Sequence, residues 1–190
     1  MLIRNEFELA EPIDKVWAFF GDIPAVASCL PGTTLSESLG DDTYAGDVVL
    51  GLGPVKLDFA GKAKIAERND VSKAMVVDAT GAEKKGRGNA ALKMNVALAP
   101  TASSGTKVAV VLDLNLSGAA AQYGRGLIND VTTVLLGDFS NNVGRRLRGD
   151  ASTGPAKTAS GFAIGVRAAR MALLRVIRRF FVPYKPQPSR

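Results

Sequence analysis

The sequence predicts an α+β domain in which a curved antiparallel sheet wraps around one long C-terminal helix, followed by a flexible linker and an amphipathic tail helix. Three patterns carry this expectation. Residues 34–117 alternate apolar and polar side chains with a period of two, and residues 120–148 change to spacings of three and four. Residues 161–182, GFAIGVRAARMALLRVIRRFFV, then set five arginines among apolar residues after a stretch rich in Gly, Ser, Thr and Ala.

The chain opens on a half-buried strand, with Ile3, Phe7 and Leu9 on one side and Arg4, Glu6 and Glu8 on the other. EPIDKVWAFFGD follows as a short helix, because Pro12 suits a first turn, Ile13, Val16, Trp17 and Phe20 share a face, and Gly21 ends it. IPAVASCLPGT reads as a second helical turn closed by Pro31-Gly32. The alternating runs come next: Val55, Leu57, Phe59, Ala63 and Ile65 against Lys56, Asp58, Lys62 and Lys64, then Ala90, Leu92, Met94, Val96 and Leu98, then Val108, Val110, Leu112, Leu114 and Leu116. Short turns such as LGDD, RND and TASSGT join them, so neighbours should run antiparallel, one face buried and one wet. From residue 120 to about 148 a single helix is expected, with Leu127, Ile128, Val131, Val134, Leu135, Phe139 and Val143 on its buried stripe. The predicted organisation is a folded domain over 1–149, a flexible linker over 150–160 and a basic amphipathic tail over 161–190.

Charge is divided along the same boundary. Residues 1–149 hold 16 Lys and Arg against 17 Asp and Glu, whereas residues 150–190 hold 8 against 1. The body is close to neutral, so no nucleic-acid partner is expected for it. The chain contains no histidine and a single cysteine, Cys29. Ser-His-Asp triads, Cys-His pairs and the common zinc sites therefore cannot be assembled, and no carboxylate pair stands out. No catalytic residue and no metal ligand is assigned. No secretory apolar run precedes the first strand, which places the expected localisation in the cytoplasm.

Four segments, IPAVASCLPGT, LGPVKLDFAGKAKIAERND, GTKVAVVLDLNLSG and AAQYGRGLINDVTTVLLGDFSNNV, resemble the carbon monoxide dehydrogenase G-subunit family of the START-like helix-grip superfamily, in the family's order and over roughly residues 1–147. The resemblance implies a helix-grip fold with an apolar ligand held between sheet and long helix. It also implies a partner, a molybdenum-containing carbon monoxide dehydrogenase, to which membrane recruitment is ascribed. It supplies no catalytic residue, and a chain with one cysteine could not ligate an iron–sulfur cluster alone.

If that partner is a respiratory dehydrogenase, the lipophilic cargo most worth carrying is its electron acceptor, a quinone such as menaquinone or ubiquinone, bound without a covalent link. The expected ligand-binding residues are Tyr123, Leu127, Val131 and Leu135 from the helix, Leu92, Met94, Val110 and Leu112 from the strands, and Trp17 at the border. Trp17 and Phe20 also read as core aromatics, and Cys29 as a small buried apolar residue. In the tail, Phe162, Val166, Leu173, Ile177 and Phe180 fall on one helical face, opposite Arg167, Arg170, Arg175, Arg178 and Arg179. A helix of this length would reach about 33 Å, enough to cross a bilayer. Arginines near the bilayer centre would cost about 2.5–3.5 kcal/mol each, so lying flat against anionic lipids at the inner face of the cell membrane is the expected arrangement.

Two other readings stand beside this one: a recruitment subunit whose interior is simply packed core, and a helix-grip small-molecule enzyme. Among the remaining motifs, GLGPVKL reads as a turn into a strand. Gly124 and Gly126 in YGRGLIND read as a site of close packing against the sheet, with an opening to the interior as the alternative. Asn95 and Asp113 are expected to be solvated, and so are Lys84, Lys85 and Arg87 around the Gly86–Gly88 hairpin, where a contact with the dehydrogenase or lipid is the alternative.

Overall fold

A computed structural model of the chain describes residues 1–52 and 55–150. The element order is β1 (Leu2–Leu9), α1 (Ile13–Phe20), α2 (Ile23–Cys29), β2 (Thr33–Gly40), β3 (Thr43–Leu52), β4 (Val55–Asn69), β5 (Ala74–Glu83), β6 (Asn89–Pro100), β7 (Thr106–Leu116), a 3-10 turn (Gly118–Gln122) and α3 (Arg125–Leu147). The strands form one antiparallel sheet in the order β1-β7-β6-β5-β4-β3-β2, so the N-terminal strand closes the sheet beside the last one. α1 and α2 interrupt the sequence of strands at one end, and α3 lies across the concave face.

Local chemistry explains the helix boundaries. Pro12 caps α1 through its carbonyl, which accepts from Val16 N at 3.1 Å, and the Asp22 carboxylate caps α2 by accepting from Ala25 N at 3.0 Å. α3 begins at Arg125 and not at residue 120, because Gly118 adopts φ +66° and the next residues close a tighter 3-10 turn. The position is forced: a Cβ on Gly118 would lie 2.4 Å from the Arg87 carbonyl oxygen of the β5–β6 hairpin. Tyr123 therefore stands just before α3. At the other end, Arg145 and Arg146 in the last turn complement the helix dipole, and Gly149 at φ +78° ends the helix with Asp150 N donating to Arg145 O at 3.0 Å.

The paired register stacks side chains in rows across the concave face. One row runs Ile3, Leu112, Met94, Val77 and Ile65; the next runs Leu114, Leu92, Ala79, Ala63 and Tyr44; the next runs Leu116, Ala90, Gly81, Gly61 and Gly46. Two positions of the glycine row leave no room for a side chain, since a Cβ on Gly61 would sit 2.1 Å from Thr80 O and one on Gly46 2.6 Å from Thr34 O. Together with bulges between Ile65 and Glu67 and between Leu35 and Glu37, these glycines let the sheet bend.

The core divides into two clusters. The larger gathers Leu9, Val16, Trp17, Phe20, Cys29, Met75, Val77, Val96, Leu98, Val108, Val110, Phe139 and Val143 under α1, α2 and the C-terminal half of α3. Each aliphatic side chain buried there contributes about 1.5–3 kcal/mol relative to exposure. Phe139 anchors α3 by meeting Phe7 edge-on at 6.0 Å between ring centres and Phe20 at 6.3 Å, while Asn142 Nδ2 donates to Cys29 O at 2.8 Å. The smaller cluster, at the N-terminal end of α3, holds Leu57, Phe59, Ala120 and Val131, with Tyr123, Leu127, Leu135, Leu50 and Leu116 packed against it.

Candidate ligand-binding site

Between the two clusters, the concave face is apolar but incompletely covered. Leu92, Leu114, Ala79 and Tyr44 belong to neither cluster and are only partly buried. Beside them the glycine row offers no side chains. A strip of apolar surface thus lies between two packed ends beneath α3.

The expected lining residues divide among these regions. Tyr123, Leu127, Val131 and Leu135 come together in the smaller cluster, and Leu92 lies in the strip. Met94 and Leu112 border it from the larger cluster, in which Val110 is 4 % exposed. Trp17, also 4 % exposed, is held within that larger cluster by polar contacts at its rim. Its indole N–H donates to Asp70 Oδ1 at 2.6 Å, the Arg68 guanidinium stacks 4.4 Å from the ring centre, and Arg68 Nη2 donates to the Trp17 carbonyl at 3.3 Å. The tail residues Phe162, Val166, Arg167, Arg170, Leu173, Arg175, Ile177, Arg178, Arg179 and Phe180 lie outside the described residues, as does the GLGPVKL turn at 53–54.

The expectation for the glycines changes, whereas Lys84 and Lys85 are exposed as expected. A Cβ on Gly124 or Gly126 would meet nothing within 4 Å, so close packing is not the reason for glycine there; both flank open space at the start of α3. Two of the three hairpin basic residues are engaged in ion pairs, and Lys85 is exposed: Lys84 Nζ lies 2.9 Å from Asp47 and 3.2 Å from Asp58, and Arg87 Nη2 lies 2.5 Å from Glu83 Oε1. Those carboxylates push the Lys84 and Arg87 pKa values upward.

Glu83 and Asp130 are buried carboxylates that the sequence pattern does not single out. Glu83 follows Gly81 on the concave face, opposite Phe59, and its side chain is 1 % exposed. Buried carboxylates need partners, and this one accepts from Arg87 Nη2, from Lys85 N at 2.8 Å and from Arg87 N at 3.2 Å. The Arg87 guanidinium, ahead of those backbone donors, lowers its pKa from 4.5 to about 2. The signal was present: Met75, Val77, Ala79, Gly81 and Glu83 keep one parity along β5.

Elsewhere, burial raises the Cys29 thiol pKa against the opposing influence of Ser28, Arg146 and Arg145, which keeps the thiol protonated and unreactive. Asn95 and Asp113 are exposed, as expected. On the face opposite α3 lie two solvent-open depressions. One of about 670 Å³ is lined by residues including Ala45, Ala60, Thr80, Ala82 and Asn115, and one of about 440 Å³ by residues including Val76, Asn95 and Val111. Small side chains line much of the first, and Glu67, Arg68, Asn69 and Ser72 border the second. Among the described residues, no group of three or more His, Cys, Asp and Glu is placed to hold a metal ion, and no helix is long and apolar enough to cross a membrane.

A bent antiparallel sheet gripping one C-terminal helix over an apolar strip defines a protein of the helix-grip class. The chain belongs to the CoxG family, described as the G subunit of carbon monoxide dehydrogenase, which it matches over residues 6–148. It is similar to a conserved protein from Geobacillus kaustophilus, at 19 % identity over 79 % of this chain and 97 % of that one, with a TM-score of 0.71. It also resembles the Zhui aromatase/cyclase from Streptomyces sp. R1128, at 11 % identity over 79 % and 92 % with a TM-score of 0.51. Norcoclaurine synthase from Thalictrum flavum matches at 13 % identity over 79 % and 95 %, with a TM-score of 0.52. At these identities the structures share the fold alone. No curated protein matches the sequence.

Proposed function

We propose that the chain is a non-catalytic accessory protein of a molybdenum carbon monoxide dehydrogenase, that it carries a lipophile on the strip beneath α3, and that residues 161–182 bring it to the membrane. Family membership supports the dehydrogenase as partner. The cargo reading rests on the partly buried row Leu114, Leu92, Ala79 and Tyr44 between two buried clusters, because a soluble domain gains by covering such surface. A respiratory quinone, the acceptor a membrane-linked dehydrogenase needs, is the cargo proposed. The fold also serves enzymes, but with no histidine and a single cysteine the chain offers no Ser-His-Asp or Cys-His arrangement.

Membrane contact in this reading is peripheral, at the inner face of the cell membrane. The apolar face of residues 161–182 enters the acyl boundary while Arg167, Arg170, Arg175, Arg178 and Arg179 meet anionic headgroups at about 1 kcal/mol each.

Native mass spectrometry and organic extraction of full-length protein purified from membrane-containing cells test the cargo. A stoichiometric quinone supports the carrier; protein that stays empty after incubation with quinone-loaded vesicles leaves only the anchor. Replacing the five arginines by glutamine should release the protein from anionic vesicles, and unchanged co-sedimentation would remove the tail from the account.

A further inference from the structure

We infer that Arg87 is the polar anchor of the cargo, and that the site selects a neutral hydrogen-bond acceptor, a carbonyl oxygen, over an anionic head or a hydroxyl donor. This depends on the strip beneath α3 being the ligand site proposed above.

Glu83 and Arg87 close the end of that strip nearest the smaller cluster. Glu83 lies two residues beyond Gly81 on the same face, and Tyr123 is near enough to Arg87 to interact with its charge. The guanidinium is fixed at one corner only: Nη2 bonds Glu83 Oε1 and donates to Lys56 O at 2.7 Å. Its Nε is buried and has no hydrogen-bond partner, no bond to Nη1 occurs among the described residues, and the side chain is 34 % exposed. Buried donors are almost always paired, so an N–H left bare beside an apolar strip marks a place where an acceptor is to be supplied.

Charge narrows the class of acceptor. Glu83 already neutralises Arg87, and Asp47 and Asp58 answer Lys84, so neither of these two side chains offers a carboxylate or phosphate head an unopposed charge. What remains is a donor edge in apolar surroundings. A guanidinium only donates, so it matches the carbonyl of a quinone directly, whereas a hydroquinone brings its own O–H groups and needs acceptors that Arg87 cannot offer. The site therefore holds the oxidised carrier more tightly than the reduced one, which favours loading before reduction and release after it.

The test is equilibrium binding of the full-length chain to decylubiquinone, its hydroquinone under anaerobic conditions, and decanoate. The wild type should bind the quinone about tenfold more tightly than either other probe, the scale of one charge-assisted hydrogen bond. The double variant Glu83→Gln/Arg87→Gln, neutral like the native pair, should lose the preference while still binding apolar probes. Arg87→Lys, which keeps the charge pair but not the planar edge, should also lose it and guards against misfolding of the double variant. Equal affinity for quinone and hydroquinone, tighter decanoate, or a folded variant with the preference intact would overturn the anchor and leave the carrier reading standing. Failure of every probe to bind the wild type overturns both.

Discussion

The Trp17 indole N–H donates to Asp70 Oδ1 at 2.6 Å, so the first helix is tied to the β4–β5 turn across 53 residues of sequence. Arg68 joins them, lying over the ring and 3.3 Å from the same carboxylate. Losing the bond from either side should have the same effect. Trp17→Phe and Asp70→Ala are expected to lower the denaturation midpoint individually, and the double variant should lose less than their sum. Hydrogen bonding from Trp17, and then from Arg68, depresses the Asp70 pKa. The contribution is therefore complete above the ordinary carboxylate pKa and fades as pH falls through the lowered one. Coupling that persists unchanged in strong acid would show that Asp70 is not the group responsible.

Glu83 gives a second acid-sensitive contact at the other end of the sheet. Its pKa is held at about 2 against an ordinary 4.5, so the carboxylate stabilises the fold fully above pH 4.5, and the benefit drains away as pH falls towards 2. The difference in unfolding midpoint between wild type and Glu83→Gln should be constant near neutrality and shrink across that window. A constant difference down to pH 2 would mean that the variant acts through packing at Phe59 and not through the ion pair.

The contrast between these two acids shows what a sequence reveals. Strand parity exposes which residues share a face, and it was enough for the sheet, the larger core and the stripe of α3 from Leu127 to Val143. Parity also carried Glu83, but a lone charge at the end of an apolar series reads as the end of the strand until Arg87 and two backbone N–H groups are seen around it. Gly46, Gly61 and Gly81 are 15 and 20 residues apart in sequence, and only the register of β3, β4 and β5 aligns them. The late start of α3 is similar: Gly118 is left-handed and must be glycine because the Arg87 carbonyl, 31 residues earlier, occupies the space a Cβ would need. Non-local pairing, which periodicity does not encode, decides the two glycine cases, while the partners of Glu83 lie two and four residues away, in the turn that follows it.

The glycines themselves should divide into two kinds. A Cβ at Gly61 would strike the Thr80 carbonyl, a backbone atom that cannot swing aside, so Gly61→Ala should cost at least about 1–3 kcal/mol. Gly137 sits inside α3 with nothing within 4 Å of its would-be Cβ, so Gly137→Ala should raise stability by about 0.5–1 kcal/mol through the unfolded chain's lost freedom. Urea unfolding of both variants separates these expectations. A neutral Gly61→Ala would mean that the sheet's bend is not fixed by the close approach of β4 and β5.

Ala79 offers the sharpest distinction between a site and a core. It stands on the concave face between Leu92 and Ala63 and, like Leu92, belongs to neither cluster, whereas Val77, two residues earlier on the same strand, is buried at 8 % exposure in the larger cluster. Enlarging a packed position forces neighbours off their rotamers at about 1–3 kcal/mol, but enlarging a residue beside open space covers apolar surface. Val77→Phe should therefore lower the unfolding midpoint, while Ala79→Phe should leave it little changed and exclude the lipophile from protein purified from membrane-containing cells. If Ala79→Phe destabilises as much as Val77→Phe, the strip is tightly packed interior, and the protein acts as a tether for the dehydrogenase without a cargo.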